Sequence, residues 1–590
     1  MCGIAGILAL EAGSGPVNAD ELIFIREAMA SRGPDAAGLW LSPDHRVALA
    51  NRRLAIIDLD KRSDQPMSLP EAGLWITFNG EITNFRELRA ELSAEGRIFR
   101  TQSDTEVLLH LYDRYGSQMV DRLRGMFAFA LWDDRRKRLF AARDPWGILP
   151  FYYAHHGATL RFASQVKALR RSRAIPCEAD AAGQVGFLLL GYVPEPHTLH
   201  AQIRSLPAGS ILTYDQHGLA IQNYCDIADL LRERAASPAI AAYRPALREA
   251  LADAVSHSLV ADVPLAVFLS GGTDSNAIAS FARAAGHKLT GITIGFSEFR
   301  GGSLDETNAA EETARAFEMP HLTRWVEGAE FADERAKIIA AMDQPSIDGA
   351  NSYFAAKAAK EAGFKIALSG VGGDELFAGY PSYGQIPRLV RLLQLPGLQL
   401  AGGAFRLLSA PLLRHIGKPK WAGLIEYGGD IADAYLLRRG LYMPWELPSL
   451  LDPEIARAGW RGLEPLLRMR WTAKGMPTAR SAITALELTW YMRNQLLRDA
   501  DWAGMAHGVE IRPPFLDLPL LRTLAPLIAS PAPPTKADLV ACLDPLPPAS
   551  VLQRPKLGFM VPWQEWILGE RHDQQPTRVW ARDVLHALAA

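Results

Sequence analysis

The feature of this sequence that most constrains its fold is an alternation of helical and strand patterns that begins near residue 241. Helical periodicity over 241–258 and 275–285 alternates with apolar, β-rich runs at 264–269 and 288–296. This alternation is typical of a parallel sheet covered by helices, because parallel strands are joined through crossover connections. From Gly370 onward the pattern is mostly helical. We therefore predict an α/β domain with a largely helical C-terminal part.

The earlier part of the chain has a different pattern, in which short strand-like runs follow one another with few helices. We predict strands at 47–58, 74–82, 126–132 and 138–143 and helices at 84–95 and 104–115. This grouping is typical of an α+β domain. The predicted organisation is a first domain at 2–225, a linker at 226–240, a second domain at 241–570 and a C-terminal tail at 571–590.

The charge balance and the cysteine count exclude several classes of protein. The 590 residues carry 63 Lys and Arg against 65 Asp and Glu, a net charge of −2. A balance this close to zero argues against a broad nucleic-acid-binding face and a polybasic membrane anchor. Four cysteines without a CxxC pair do not make a secreted disulfide scaffold or suggest a zinc site. We expect a cytoplasmic protein with small-molecule partners, and the sequence is compatible with a homodimer.

The most apolar stretch of the later chain, 389–416, does not predict a membrane span. Arg391, Arg406, Arg414 and Pro396 interrupt it, so no window of about 20 apolar residues exists. An amphipathic helical hairpin packed on the protein is the expected structure, and peripheral contact with a membrane is the alternative. The N-terminus has no basic segment before its apolar run, so no signal peptide is predicted.

The second residue, Cys2, has the chemistry of an N-terminal nucleophile. Met1 precedes a small residue, which aminopeptidases can usually remove, and its removal leaves Cys2 with a free α-amine. An α-amino group has a pKa of about 7.7–8.0, so near neutrality it can act as a base for the thiol of the same residue. Most cysteines at position 2 are incidental, so the assignment depends on the residues that accompany Cys2.

Further residues of the first domain suit an amide substrate. Asn79 and Gly80 lie at a strand end, where a side-chain amide and a backbone N–H can point at an oxyanion. Arg53 can hold a carboxylate in bidentate fashion, and Glu81 and Asp104 can hold an ammonium group. The alternatives are an ordinary Asn-Gly turn and three solvated surface charges.

A glycine-rich loop follows a buried strand in the second domain. The loop consists of Ser270, Gly271, Gly272, Thr273, Asp274 and Ser275, and a helix begins there. Glycines let backbone N–H groups close on an anion, the helix N-terminus adds a favourable dipole, and Asp274 offers a hard oxygen for Mg²⁺. The loop has no Gly-Lys-Ser/Thr ending, so it is not a Walker A loop. A packing turn is the alternative.

A second strand end lies at 366–370 and leads into Val371, Gly372, Gly373 and Asp374. We expect Asp374 to be a second oxygen ligand for Mg²⁺. An aspartate after two glycines is otherwise an ordinary helix cap.

Longer strings that contain these residues occur in one order along the chain. MCGIAG, SRGPD, NRRLAIID, NGEITN, SDTE, GMFAFALWD and RDPWGILPFYY are followed by SGGTDS, MAHGVEIRPPFLD and QRPKLGFMVP. The first seven resemble the class II glutamine amidotransferase domain, an α+β N-terminal-nucleophile fold of two stacked β-sheets between helices. SGGTDS resembles the PP-loop of ATP pyrophosphatases. Over residues 2 to 567 the chain is similar to glutamine-hydrolysing asparagine synthetases, whose second domain is an α/β parallel-sheet PP-loop synthetase domain.

The resemblance implies roles for individual residues. For catalysis it implies Cys2 as nucleophile, Asn79 and Gly80 as oxyanion hole, and Lys556 as a contact of phosphate and of the acyl-adenylate. For glutamine it implies Arg53, Ile57, Asn79, Glu81 and Asp104. For ATP it implies Leu269, Ser270, Gly271, Gly272, Asp274, Ser275, Ile294, Ser369 and Gly370, with Mg²⁺ on Asp274 and Asp374.

The sequence departs from this family on the acceptor side. Asparagine-forming members read SGEG at the second strand end, and here Val371 replaces the glutamate. A valine cannot carry charge or move a proton. Asp343, Asp348 and Glu375 are nearby acids that can replace it.

The expected activity is therefore a two-site amidation. Glutamine is hydrolysed at Cys2, and ammonia moves inside the protein to a carboxylate that ATP has activated as acyl-AMP. Aspartate is the first candidate acceptor, and the alternative is another acid, such as a sugar uronate or a biosynthetic intermediate. An inactive scaffold is disfavoured because Cys2, Asp274 and Asp374 are all present. An amidotransferase that does not use ATP is disfavoured by the PP-loop.

Overall fold

A computed structural model describes residues 1–233, 240–395, 397–415, 417–554, 557–569 and 575–589. Its strands are β1 Gly3–Leu8, β2 Ala36–Leu41, β3 Val47–Arg53, β4 Met67–Leu69, β5 Leu74–Ile82, β6 Gly125–Asp133, β7 Arg138–Arg143, β8 Tyr152–His156, β9 Thr159–Ala163, β10 Arg204–Ser205, β11 Ser210–Asp215, β12 Gly218–Asn223, β13 Leu265–Phe268, β14 Thr290–Phe296, β15 His321–Val326, β16 Ile366–Leu368 and β17 Glu510–Arg512.

The α-helices of the same residues alternate with these strands up to β16 and dominate the chain after it. They are α1 Ala19–Glu27, α2 Phe85–Ala94, α3 Asp104–Tyr115, α4 Val166–Leu169, α5 Ala181–Leu190, α6 Ile227–Arg232, α7 Ile240–Ser258, α8 Thr273–Ala284, α9 Thr307–Ala316, α10 Gly328–Ala341, α11 Ala350–Glu361, α12 Gly373–Leu376, α13 Ser382–Leu393, α14 Gly402–His415, α15 Leu424–Tyr427, α16 Ile431–Arg439, α17 Pro453–Leu463, α18 Pro465–Ala473, α19 Ala479–Leu486, α20 Leu497–Ala506, α21 Leu518–Ile528, α22 Lys536–Val540, α23 Ala549–Leu552 and α24 Pro576–Ala589.

The first domain contains two stacked antiparallel sheets. Their strand orders are β10-β8-β9-β1-β3-β2 and β12-β11-β7-β6-β5-β4. Ile4 and Leu49 of the first sheet and Phe78 and Phe129 of the second belong to one buried core, which lies between the sheets. α1 and α4 pack on the other side of the first sheet. The predicted α+β architecture of two stacked sheets between helices is confirmed.

One predicted strand is too long. The run 47–58 was expected to be a single strand, but β3 ends at Arg53. The following loop leaves the sheet because it bonds to the second domain. The N–H of Asp262 donates to the carbonyl of Ile56 at 3.1 Å, and the N–H of Asp58 donates to a carboxylate oxygen of Asp262 at 2.8 Å. The loop is therefore part of the interface between the domains.

The second domain is built on a parallel sheet with the strand order β15-β14-β13-β16-β17. Each neighbouring pair in this sheet is parallel, as the alternating pattern predicts. The carboxyl ends of β13 and β16 lie side by side, because Val267 pairs with Leu368. Ligands of open α/β sheets bind at this edge, so the fold brings the two glycine-rich loops together.

The chain after β16 is mostly helical, as predicted. α6 lies within the segment predicted as a linker, whose residues 234–239 fall outside the described part of the chain. α24 lies within the predicted C-terminal tail, and its Trp580 is fully buried against Phe331. Among the described residues, no helix combines the length and the apolar character that crossing a bilayer requires.

Candidate active sites

Cys2 lies at the start of β1 and is buried, with 7% of its surface exposed. Its backbone N–H donates to Oδ1 of Asn79 at 2.6 Å, and its carbonyl accepts from Nε of Arg32 at 3.1 Å. Burial raises the pKa of the Cys2 thiol, which the N-terminal ammonium and Arg53 oppose. The thiol therefore depends on a neighbouring base to become a nucleophile.

The side-chain amide of Asn79 contains a hydrogen-bond donor that lacks an acceptor among the described residues. Its Nδ2 is buried and has no partner among the described residues, while its Oδ1 is held by Cys2. A buried N–H without an acceptor is unfavourable in isolation, and it suits a group that becomes negatively charged during a reaction. Gly80 follows with φ of 153°, and a Cβ there would lie 2.3 Å from the carbonyl oxygen of Met126. Only glycine fits this close approach.

Arg53 and Ile57 meet in the loop after β3. The Arg53 guanidinium donates to the carbonyl of Ile57 at 3.3 Å and to the carboxylate of Asp64 at 2.8 Å. The guanidinium also donates to the carbonyls of Asp58 and Asp60. The structure thus brings the two predicted residues together and gives Arg53 a carboxylate partner in Asp64.

Glu81 and Asp104 form a buried acidic pair near Cys2. Burial raises the pKa of Asp104 to about 6, although the N–H of Ile82 donates to its carboxylate at 3.0 Å. Burial and the charge of Glu510 raise the pKa of Glu81 well above its usual value. One oxygen of Glu81 is buried without a partner among the described residues. An ammonium group placed here would relieve both carboxylates.

The second domain contributes charged residues to the first site. The N-terminal ammonium of Met1 pairs with Glu510 at 2.5 Å, and Arg512 donates to the other oxygen of Glu510 at 2.6 Å. Arg512 also lies 3.5 Å from Glu81. Sequence reasoning assigned Glu510 and Arg512 no role, although the string MAHGVEIRPPFLD that contains them was used for the family resemblance.

A buried ion pair also joins the start of β1 to α20. The Arg32 guanidinium donates twice to the carboxylate of Asp501, at 2.7 and 2.8 Å, while its Nε holds the carbonyl of Cys2. Arg32 is fully buried and Asp501 is 7% exposed. The sequence carries no local signal for this pair, because its two residues are 469 positions apart.

The loop after β13 is held by its own side chains. The N–H of Gly272 donates to Oγ of Ser270 at 3.0 Å, and the N–H of Ser270 donates to Oγ of Ser275 at 3.1 Å. The side-chain amide of Asn276 donates to the carbonyls of Ser270 and Gly272 at 3.0 and 2.7 Å. α8 begins directly after Gly272, so its N-terminus faces the loop. This is the geometry of an anion-binding turn.

The second glycine-rich loop lies against the first. A Cβ on Gly370 would lie 2.8 Å from Cβ of Asp274, and one on Gly373 would lie 2.4 Å from its Oδ1. The ammonium of Lys536 hydrogen-bonds Asp274 and lies 3.0 Å from Oδ1 of Asp374. The two aspartates are therefore close enough to share one cation, and their hard oxygens fit Mg²⁺. No motif in the sequence pointed to Lys536.

The remaining predicted ATP residues surround these loops. Leu269 pairs with β14 through its N–H, which donates to the carbonyl of Ile292 at 2.9 Å. The N–H of Ser369 donates to the carbonyl of Arg512 at 2.8 Å, so the second glycine-rich loop bonds to the strand β17 that carries Glu510 and Arg512. Ile294 lies in β14 and is partly buried. Lys556 lies outside the described residues. Arg554, two residues earlier, donates to the carbonyl of Asp305 at 2.8 Å.

Two small cavities include residues of both candidate sites in their linings. One is lined by Glu81, Arg512 and other residues of both domains, and the second is lined by Met1, Ser369 and Val371. Both are bordered by Ile148 and Pro513. The two cavities therefore share part of their lining, and they contact Glu81 of the first domain and Val371 of the second.

The three acids predicted to replace the family glutamate have different surroundings. Asp343 accepts the N–H groups of Val166 and Lys167 at 2.9 and 3.0 Å, so it joins the two domains. Glu375 accepts from the hydroxyl of Tyr380 at 2.8 Å, and burial raises its pKa to about 7. Burial also raises the pKa of Asp348.

Asp348 has a buried carboxylate neighbour on α20. Asp499 lies beside it, and burial together with the charge of Asp348 raises the pKa of Asp499 well above its usual value. Burial raises the pKa of Tyr491, and the carboxylates of Asp348 and Glu375 add to this effect. Tyr491 thus lies near both acids, on a π-helical stretch that spans Glu487–Leu496. Glu375 and Asp348 are the two candidates that share a neighbourhood.

Comparison with known proteins shows which family the chain belongs to. The glutamine amidotransferase domain family matches residues 1–225, and the asparagine synthase family matches residues 246–588, more than half of the chain. The chain belongs to the asparagine synthase family. Asparagine synthetase [glutamine-hydrolyzing] 1 of Bacillus subtilis is 31% identical, and the match covers 99% of this chain and 90% of that protein. Asparagine synthetase [glutamine-hydrolyzing] 3 of the same organism is 29% identical over 83% of this chain and 75% of that protein.

A relative with another name is also similar. The amidase chry2 of Gibberella zeae is 31% identical over 65% of this chain and 60% of that protein. The general chemistry follows from the two matched domains. The protein is a carbon–nitrogen ligase that takes nitrogen from glutamine in its first domain and uses ATP in its second.

Proposed function

We propose that the chain amidates a carboxylate by passing ammonia from Cys2 to an acyl-adenylate held at the two glycine-rich loops. The observation that supports this proposal is that the cavity at Glu81 and the cavity at Val371 share Ile148 and Pro513 in their linings. Ammonia that passes through these cavities stays out of bulk water, so it is not lost by protonation or diffusion.

In the first half-reaction, the Cys2 thiolate attacks the side-chain amide of glutamine and forms a thioester. Asn79 Nδ2, the buried donor without a partner, and the N–H of Gly80 stabilise the oxyanion. Glu81 and Asp104 bind the glutamine ammonium, while Arg53 exchanges Asp64 for the glutamine carboxylate and Ile57 contacts the substrate. Ammonia leaves, and water hydrolyses the thioester.

This half-reaction needs a free Cys2 α-amine. With Met1 present, the nitrogen of Cys2 is an amide that donates to Asn79 and cannot accept a proton. Removal of Met1 turns the same nitrogen into the base. It also removes a side chain from the cavity that Met1 lines with Val371. One cleavage therefore activates the nucleophile and enlarges the path for ammonia.

In the second half-reaction, the loop from Ser270 to Ser275 binds the phosphates of ATP, and Leu269, Ile294, Ser369 and Gly370 contact the nucleotide. Asp274 and Asp374 would hold Mg²⁺, which neutralises phosphate charge when bound. Lys536 already bridges these two carboxylates with a positive charge. We assign Lys556 to contact phosphate and the acyl-adenylate. The acceptor carboxylate displaces pyrophosphate, and ammonia then displaces AMP to give the amide.

Aspartate is the first candidate acceptor, because two relatives that match most of this chain are named asparagine synthetases. A second candidate is a different acid, and Val371 favours it because the residue offers no proton-transfer group. The buried acids Glu375, Asp348 and Asp499 also favour it. Their raised pKa values allow them to be neutral donors, which suits an acceptor with hydroxyl or amine groups.

An acceptor screen tests the proposal. The purified protein is given glutamine, ATP and Mg²⁺ with aspartate or with other acids, including sugar uronates, and pyrophosphate release is measured. We expect release that depends on one acid and produces AMP and an amide in equal amounts. Formation of ADP, or of AMP without any amide, would contradict the proposed chemistry.

A further inference from the structure

The hairpin of α13 and α14 carries apolar side chains that the protein does not cover. Six leucines on it are 59% to 91% exposed, whereas most leucines of the described chain are buried. We call this set the leucine face. It consists of Leu392, Leu395, Leu400, Leu407, Leu408 and Leu412. Soluble proteins seldom expose so many large apolar side chains in one segment, and such patches usually contact a partner or a membrane.

The opposite face of the hairpin is already packed on the protein. Ile386 is 1% exposed, and Leu389 and Val390 pack against the second domain's core. Arg406 pairs with Glu426 at 3.0 Å and lies over the ring of Trp445. The hairpin is therefore anchored through one face, and the leucine face cannot turn inward without breaking these contacts.

The charged side chains of residues 381–425, the segment that contains the hairpin, are all basic. Residues 381–425 contain six Lys and Arg and no Asp or Glu, although the whole chain is almost neutral. Arg388 and Arg391 are exposed and make no ion pair with a described residue. Arg388 lies four positions before the exposed Leu392 in α13, so the two side chains lie on the same side of the helix, and Arg391 lies in the last turn of the same helix. Lys418 is also exposed at the end of the hairpin.

We propose that the leucine face binds the surface of an anionic phospholipid bilayer. Leucines that enter the boundary between headgroups and acyl chains, with long basic side chains reaching the phosphates, are the pattern of an interfacial helix. Charge complementarity selects this partner, because an anionic surface attracts a segment with no acidic residue. Trp421, at 43% exposure just beyond the hairpin, adds a side chain suited to the same boundary.

A second copy of the chain fits this surface less well. A two-fold interface places the same patch on both subunits, so Arg388, Arg391 and Lys418 would meet their own copies. Juxtaposed like charges oppose association unless acidic residues separate them, and residues 381–425 contain none.

Vesicle flotation of the full-length protein tests the proposal. The probes are vesicles of phosphatidylcholine alone and vesicles that contain phosphatidylglycerol in equal amount. We expect flotation with the anionic vesicles, little with the neutral ones, and a loss of binding as salt increases. Leu408→Ser combined with Leu412→Ser should weaken partitioning at least about tenfold. Arg388→Gln combined with Arg391→Gln should weaken it about 30-fold on anionic vesicles only.

Matched variants outside the hairpin control for non-specific vesicle binding by exposed apolar or basic side chains. Ile98→Ser with Leu467→Ser removes side chains of comparable exposure, 81% and 59%, and Arg171→Gln with Arg173→Gln removes two exposed arginines. Neither pair should change flotation, and glutaminase activity should be unchanged in all four variants. No flotation of the parent, or equal flotation of the leucine variant, would overturn the proposal. A dimer that the leucine variant dissociates, without vesicle binding, would assign the face to a second copy instead.

Discussion

Met1 and Val371 line the same small cavity, although one residue begins the first domain and the other follows a strand of the second. The ammonium of Met1 pairs with Glu510 of β17. Two residues later in the same strand, the carbonyl of Arg512 accepts the N–H of Ser369, which lies two residues before Val371. The N-terminus is therefore inserted between the two sites. Its processing and the residue at position 371 should both affect how ammonia reaches the acceptor.

The first prediction separates the two activities. Cys2→Ala should abolish glutamine-dependent amide formation and retain ammonia-dependent formation, because the ATP loops lie in another domain. Retention of Met1 should have the same effect, since it leaves Cys2 without its base. Amide formation is measured with glutamine and with ammonium as alternative donors. If folded Cys2→Ala lost ammonia-dependent turnover as well, the two sites would not be separable as we propose.

The second prediction concerns Asn79. Asn79→Ala removes the buried Nδ2 donor and should lower kcat of glutamine hydrolysis by about 10²–10³. Ammonia-dependent synthesis should change little. Asn79→Asp is the matched variant, because it keeps the size and removes the donor. A kcat for Asn79→Asp close to that of the parent would remove Asn79 from the oxyanion role.

The third prediction is a pH dependence that comes from Asp104. Its pKa is raised to about 6 by burial, so the carboxyl becomes neutral as pH falls below that value. The neutral form attracts the glutamine ammonium less, so kcat/KM for glutamine should fall, by up to about tenfold per pH unit below pH 6. Asp104→Asn should raise KM at neutral pH and remove the additional fall that begins near pH 6, leaving the limb of the Cys2 α-amine, whereas Asp121→Asn at the surface should retain both. An acidic limb unchanged in Asp104→Asn would point to another group.

The sequence predicted the local features well. β5 and β7 have the predicted limits, because alternating apolar residues and the polar tip between 133 and 137 are local signals. The juxtaposition of the two glycine-rich loops also followed, since both lie at carboxyl ends of parallel strands. The family resemblance, rather than periodicity, supplied the roles of Arg53 and Ile57, and the structure brings these two residues together.

What the sequence did not predict depends on contacts between distant segments. Lys536 reaches Asp274 across 262 positions, and Arg32 reaches Asp501 across 469. Neither contact has a periodic or motif signal. The hairpin at 389–416 was expected to pack on the protein, and its periodicity did not show how many leucines the packing would leave exposed. Whether a helical side chain faces the core depends on the three-dimensional neighbours of the helix.

The fourth prediction tests the buried link between the domains. Arg32→Met leaves Asp501 buried without its partner and should reduce the free energy of unfolding by about 3–5 kcal/mol. Asp501→Leu strands Arg32 in the same way. The double variant removes both charges and should recover at least half of the loss, which denaturant unfolding of all three variants measures. Additive losses would show that the two side chains do not act as a pair.

The last prediction concerns Val371 and the identity of the acceptor. A positioned proton-transfer group typically contributes about 10²–10⁴ in rate, so its absence should leave weak aspartate-dependent pyrophosphate release if aspartate is not the natural acceptor. Val371→Glu should then raise that release, and Val371→Gln, which has the same shape without the charge, should not. A glutamate here would enter a cavity that Met1, Leu497 and Ile511 make apolar, so the variant should also be tested with ammonia as donor to bypass any obstruction. Robust asparagine formation by the unmodified protein, at rates of roughly 1 to 10³ s⁻¹, would show instead that valine is tolerated and that another group moves the proton, for which Glu375, with its pKa of about 7, is the candidate. Glu375→Gln distinguishes these cases, because it should abolish aspartate turnover only if Glu375 has taken over the missing role.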